Sequence, residues 1–398
     1  NLGENTVGLL GTNFGTGGNN ILTNLLPIAQ GSVSDITAPG TGVNGEEITI
    51  TGDGGITTLA NIENYSIEDD STNSRTVTVT SAGTNVTANS APDAVTFNLG
   101  ALTYTGTITG EATVDDTLSL SSGADISGGT VSNVEALTLV SGASVRLSTT
   151  QNQNFTGVIT APGTGISGEK ITITGDGSIT TLTDIETYSL DDDSTNARTV
   201  TVGSAGTNVT ANSAPDAVTF NLGALTYTGT ITGEATVDDT LSLSSGADIS
   251  GGTVSNVEAL TLVSGASVRL STTQNQNFTG VITAPGTGIS GEEITITGDG
   301  NITALADIET YSLDDDSTNA RALELSSGTL TLVANNASDT ITVNAAALAQ
   351  NTALALGASV SSLVINNLVG DIFASNLSGM LTITTANAAD NGISITTG

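Results

Sequence analysis

The sequence contains no cysteine, no histidine and no tryptophan, one methionine and one lysine, Lys170. Without cysteine or histidine there is no disulfide, no thiolate nucleophile, no imidazole base and no nitrogen or sulfur ligand set for zinc. Aromatic residues make up 3% of the chain, too few for a thick core built on large rings. No run of 18 or more apolar residues occurs, so no membrane-spanning helix is expected. Positive charge is scarce: 6 Lys and Arg stand against 40 Asp and Glu, a formal net charge of -34 at pH 7. That excludes nucleic acid as a partner, since nothing neutralises phosphates, and disfavours anionic membranes. The start, NLGENTVGLL, has no basic region and is read as a mature or internal beginning rather than a signal peptide.

What the chain does have is Gly, Thr, Ser, Asn and Ala, with an apolar fraction of 37% that is strongly patterned, which argues against disorder. It is also repetitive. ITAPGTGVNGEEITITGDG begins at Ile36, ITAPGTGISGEKITITGDG at Ile159 and ITAPGTGISGEEITITGDG at Ile282, a spacing of 123 residues both times. Ser81–Val158 recurs unchanged at Ser204–Val281, and the third copy follows the pattern to Arg321 before diverging. The organisation expected is an N-terminal cap or assembly segment at 1–35, solenoid repeats at 36–158 and 159–281, and a divergent third repeat with C-terminal coils at 282–398.

A finer period lies inside the repeat. Val218-Thr219-Phe220, Leu241-Ser242-Leu243, Leu260-Thr261-Leu262 and Val281-Ile282-Thr283 recur about every 20 residues, giving about six turns per repeat. Ile171-Thr172-Ile173 and Val200-Thr201-Val202 stand out of strict phase. Period-2 alternation marks half-buried strands, and SSGADISGG, VSGAS and APGTG between them supply turns. Coils of this length, which bury their apolar face only by stacking, predict an all-β, right-handed parallel β-helix with about 20 residues per coil. Tandem β-sandwich domains are the alternative, disfavoured by the absence of tryptophan.

The stretch DTLSLSSGADISGGTVSNVEALTLVSGASVRLSTTQNQNFTG, Asp239–Gly280, resembles coils of large bacterial extracellular β-solenoid proteins of the S-layer and giant repeat adhesin type. LVGDIFASNLSGMLTITTANAADNGISITTG, from Leu368, is similar to segments of the same class. The resemblance implies an architecture and a cell-surface or extracellular location. The calcium-binding nonapeptide GGxGxDxUx of many such proteins is not matched; GTGGNN and GDGG are fragments of it.

Candidate chemistry is limited to acids. Asp69-Asp70, Asp191-Asp192-Asp193 and Asp314-Asp315-Asp316 recur at equivalent places, and adjacent carboxylates that repel one another are candidate ligands for a hard cation such as calcium. The plain alternative is a solvated acidic turn neutralised by Arg75, Arg198 or Arg321 a few residues later. The GDG turns at Asp53, Asp176 and Asp299 are further candidates. Asp115-Asp116 and Asp238-Asp239 open strands. Sequons at Asn85, Asn154, Asn208 and Asn277 fit glycan acceptors but arise readily in a Thr- and Asn-rich chain.

A polysaccharide-active β-helix enzyme is a further reading. It lacks histidine and tryptophan, and near-verbatim repeats would multiply any active site. Thr-x-Thr ladders for ice are another, set against the plain β propensity of threonine. The reading carried forward is a non-enzymatic structural protein, an S-layer, sheath or fibre subunit that self-assembles head to tail or laterally; the alternative is the stalk of a large adhesin. An N-terminal segment covering the open strand pattern GISITTG of the next copy would give the head-to-tail joint.

Overall fold

The computed structural model describes residues 21–22, 47–50, 55–59, 62–68, 73–88, 93–163, 168–191, 196–211, 216–286, 291–314 and 321–325, and beyond these 330–335, 340–345, 353–356, 362–368, 371–374, 380–385 and 395–397. Most of the expected N-terminal assembly segment therefore lies outside the described residues. The chain divides into two units, 1–192 and 193–398. Each is a parallel β-solenoid of about 21 residues per turn. Every described strand pairing is parallel, the opposite of what antiparallel sandwich sheets require.

In the first unit each turn has three sides. The first side is a six-stranded sheet: Ile56–Thr57, Arg75–Thr78, Val95–Gly100, Thr117–Leu120, Ala136–Leu139 and Ile159–Thr160. One inward column runs through it as Ile56, Val77, Phe97, Leu118, Leu137 and Ile159, each stacked on the next. Val77, Phe97, Leu118 and Leu137 are wholly buried. Between them the outward positions carry Thr76, Thr96, Asn98, Thr117 and Ser119, so the alternation read in the sequence is the inside-out alternation of the sheet.

The second side begins as single bridges, Thr103 to Asp125 to Arg146, and then widens into strands Ser144–Ser148, Lys170–Thr174 and Thr187–Asp191. The third side stacks Ile21–Leu22, Glu47–Ile50, Asn64–Ile67, Asn85–Thr87, Thr107–Thr109 and Thr130–Ser132. Its inward column is Ile48, Tyr65, Val86, Ile108 and Val131, all buried.

The third side is then interrupted by a helix the sequence reading did not anticipate, α1 (Thr149–Asn154). A capping box starts it: the Ser148 hydroxyl accepts from Gln151 N, and the Ser148 amide donates to Gln151 Oε1 at 2.8 Å. A helix cannot continue a parallel ladder with its own backbone, so its amide side chains take over. Below it, Gln151 donates to the carbonyls of Ile126 (2.6 Å) and Gly129 (2.9 Å), and Asn154 to that of Val131 (2.7 Å). Above it, Asn152 donates to Thr180 and Gln153 to Ser178. Strand Ile179–Thr180 thus resumes the third side on top of the helix.

The 123-residue repeat is not a whole number of turns. Ile56–Thr57 lies on the first side, whereas its counterpart one repeat later, Ile179–Thr180, lies on the third, over α1. Glu47–Ile50 lies on the third side, and its counterpart Lys170–Thr174 on the second, paired with Ser144–Ser148. Five turns carry the chain from Ile56 to Ile159, and two further sides bring it to Ile179. One repeat therefore spans five and two-thirds turns, and repeated surface groups move round by one side per repeat. This is why Ile171-Thr172-Ile173 stands out of phase: it belongs to a different side from the Val95, Leu118 and Leu137 strands.

The second unit repeats the arrangement. Val200 stacks under Phe220, Leu241 and Leu260, with Val218, Leu243 and Leu262 also buried, so Val200-Thr201-Val202 is in phase after all. The helix α2 (Thr272–Asn277) sits on strand Thr253–Ser255, through Asn277 to the Val254 carbonyl, and carries Ile302–Thr303. After Arg321 the sequence diverges but the ladder does not: Arg321–Glu324, Thr340–Asn344, Ser362–Leu368 and Met380–Thr385 stack on one side. Leu330–Asn335, Ala353–Leu356, Asp371–Ala374 and Ile395–Thr397 stack on another.

Candidate functional site: carboxylates stacked at the coil corners

Outward strand positions are mostly Thr, Ser and Asn, and acids gather at the corners. Of the acidic runs, Asp191 ends strand Thr187–Asp191 and forms an ion pair with Arg146 (Nη1 to Oδ2, 2.5 Å). The same guanidinium reaches Asp125 at 3.7 Å, along the Asp125–Arg146 bridge. Arg269 repeats this with Asp314 (2.6 Å) and Asp248 (3.7 Å). These pairs are about two-fifths exposed, so each contributes at most about 1 kcal/mol. Asp176 and Asp299 sit in exposed turns between glycines of positive φ. Asp53, Asp69, Asp70, Asp192, Asp193, Asp315 and Asp316 lie outside the described residues. Among the described residues no three acids converge as a metal group would require.

Arg75, Arg198 and Arg321, the expected partners of the acidic turns, stand shortly after turn residues that lie outside the described ones. Each opens a strand at an inward position and is 2–3% exposed. The sequon asparagines are also committed. Asn85 Nδ2 donates to Asn64 and its Oδ1 accepts from Thr107 N, Asn208 accepts from Thr230 N, and Asn154 and Asn277 hold the carbonyls beneath the helices. All five tyrosines are buried and hydrogen-bonded to the main chain: Tyr104 and Tyr227 donate to the Thr84 and Thr207 carbonyls, and Tyr65, Tyr188 and Tyr311 accept from Leu59, Leu182 and Leu305. Burial pushes their hydroxyls well above the usual phenol range.

The least expected feature is a set of acids, each immediately before a strand and stacked on the next across one turn. Asp116 precedes Thr117–Leu120 and is fully buried. Its Oδ1 accepts from Val95 N in the turn below, its Oδ2 from Glu111 N, both at 2.6 Å, and its own amide donates to Glu135 in the turn above at 3.4 Å. Glu169, also fully buried, precedes Lys170–Thr174. It accepts from Gly142 N (3.0 Å) and, through both oxygens, from Gly163 N (2.9 and 3.0 Å); its amide donates to Glu186 Oε2 at 2.9 Å. Each buried carboxylate ties one coil to its neighbour below, and each is tied by its amide to an acid above.

The second unit carries the same stacks at Asp239 with Glu258 and at Glu292 with Glu309. The fit is tight: a Cβ on Gly163 would lie 2.6 Å from Glu169 Oε2, and one on Gly168 would overlap the Glu186 carboxyl. Burial, only partly offset by the amide donors and reinforced by Glu135 and Glu111, raises Asp116 to about 6, and Asp239 equally. Glu186 and Glu309 are raised as well, by burial first and by the adjoining Glu169 or Glu292 carboxyl.

Sequence reasoning weighted the acidic runs and passed over Glu135, Glu186, Glu258 and Glu309, which stand alone. The signal available was the recurrence of an acid directly before an apolar alternation, in VDDTLSL, VEALTL, GEKITI and IETYSL. Compared with protein-family models, with curated proteins and with solved structures, the chain matches none.

Proposed function

We propose that this chain is a structural protein of the bacterial cell surface or extracellular space, a subunit of an S-layer, sheath or fibre, in which the solenoid serves as a rod that assembles with further copies of itself. One observation carries the reading: the chemistry-bearing groups serve neighbouring coils. Arg146 and Arg269 are engaged with acids one turn below and two turns above, all five tyrosines with the main chain, and the amides of α1 and α2 with the coils on either side. The same groups recur in both units, as suits a scaffold in which any site would be multiplied. An enzymatic role finds no support in tyrosines turned inward, since sugar sites are lined by exposed aromatics. With a net charge of -34, close association calls for screening, and divalent cations such as calcium at the exposed acidic corners would supply it.

Near-verbatim repeats also suit the stalk of a large adhesin, because recombination alters length and leaves the coil unchanged. Electron microscopy of the purified chain at fixed ionic strength, with calcium and with chelator, separates the two. Ordered filaments or lattices support the assembling subunit, and loosening by chelator supports the cation bridge. Isolated particles under every condition favour the stalk.

A further inference from the structure

The stacked acids do more than fill hydrogen bonds. A carboxylate is an acceptor only, so two carboxyl groups in hydrogen-bond contact hold together when one of them carries a proton. The Glu186 and Glu169 side chains make such a contact, as do Glu309 and Glu292. The groups facing them are not cationic. Glu169 faces Glu186 and the amides of Gly142 and Gly163. Its chain neighbour Lys170 points outward and is exposed, and Arg146, on the adjoining strand Ser144–Ser148, is engaged with Asp125 and Asp191. Asp116 faces Glu111 and Glu135, both acids, while Asp115 beside it is exposed.

We propose that the four carboxyl stacks, Asp116 with Glu135, Glu169 with Glu186, Asp239 with Glu258 and Glu292 with Glu309, are proton-holding clasps that tighten the packing of coil on coil in mild acid and loosen it toward neutral and alkaline pH. The direction follows from linkage. Folding raises the affinity of Asp116, Asp239, Glu186 and Glu309 for protons above that of the unfolded chain, so their stabilising contribution is complete below the ordinary carboxylate range, near pH 4. It is lost as pH rises through the folded value, which is about 6 for Asp116 and Asp239. The fold survives without the proton because the amide donors remain; what is lost is the relief of repulsion between paired acids.

The test is the melting temperature of the full chain across roughly pH 4 to 8 at constant ionic strength and without divalent cations, for the wild type and for the variants Glu186→Gln with Glu309→Gln and Asp116→Asn with Asp239→Asn. The wild type is expected to melt several degrees lower at about pH 7.5 than at about pH 5. The glutamine pair imitates the protonated acid at every pH, so it should flatten part of that slope and melt higher than the wild type at neutral pH; the asparagine pair should flatten its part too, but its NH2 meets a backbone N–H in place of one accepting oxygen, so it should melt lower throughout. The general repulsion among the remaining acids is nearly unchanged in the variants. A slope identical in wild type and variants, or a wild type that melts higher as pH rises, overturns the proposal. Should an amide variant fail to fold, the infrared spectrum of the wild type decides: a protonated-carboxyl C=O band persisting at about pH 5.5 is expected, above the range where ordinary Asp and Glu have ionised, and its absence contradicts the clasp.

Discussion

The repeats and the stretch that follows Arg321 build the same ladder by different means. In the repeats each buried column is reinforced at the corners by stacked acids, and the ladder is broken once per repeat by a helix whose amides replace the backbone donors. In 321–398 the described residues show no helix and no acid stack, yet the strands remain parallel and in step, with Ile341 on Leu363 on Leu381. The comparison separates what the solenoid needs from what it has added. Coil length and inward alternation are sufficient for stacking, whereas the acids, the helix and the ion pairs tune it.

The inward column should dominate in both regions. Phe97→Ala in the first unit is expected to cost about 3–5 kcal/mol, and Ile365→Ala after Arg321 about 2–5 kcal/mol, read from denaturant unfolding of the full chain. Both residues are fully buried. If only the repeat variant were destabilised, the two regions would not share one principle of stacking. The corner is expected to matter less and only where acids stack. Gly168→Ala drives a methyl group into the Glu186 carboxyl and should cost about 1–3 kcal/mol. Adding Glu186→Ala removes the clash together with the acceptor of the Glu169 amide, so the double variant should be no less stable than Glu186→Ala alone; a further loss would place the strain elsewhere. The smallest effect belongs to the half-exposed ion pairs: Arg146→Ala should lower stability by no more than about 1 kcal/mol and by less at high salt. A salt-independent loss of several kcal/mol would mean that Arg146 is structural in the way the buried arginines are.

Much of this was legible because alternation is local. The pairs Leu241 and Leu243, Leu260 and Leu262, and Val218 and Phe220 announce their burial by themselves, and every one is inside. The helices were legible in principle through the Ser-x-x-Gln capping box at Ser148 and Ser271, but TTQNQN has no apolar stripe to betray a helix held by amides. The direction of Arg75 was hidden by its neighbours: a charged residue beside an acidic run reads as surface, and only strand parity turns it inward. The phase of the repeat was least visible. A period of 123 suggests identical coils returning to the same side, and only the stacking register shows that they return one side round.

That rotation is the central structural claim, and the absence of native cysteine makes it directly testable. Residues stacked across a parallel pair lie about 4.8 Å apart at Cα, within reach of a disulfide. Ser144 stacks on Lys170, both exposed, whereas a repeat of whole turns would place Lys170 on the third side, in the column of Thr130. The doubly substituted chains Ser144→Cys with Lys170→Cys and Thr130→Cys with Lys170→Cys are to be oxidised at high dilution and mapped by mass spectrometry. The account predicts an intramolecular cross-link in the first and none in the second; a cross-link in the second and none in the first would contradict it.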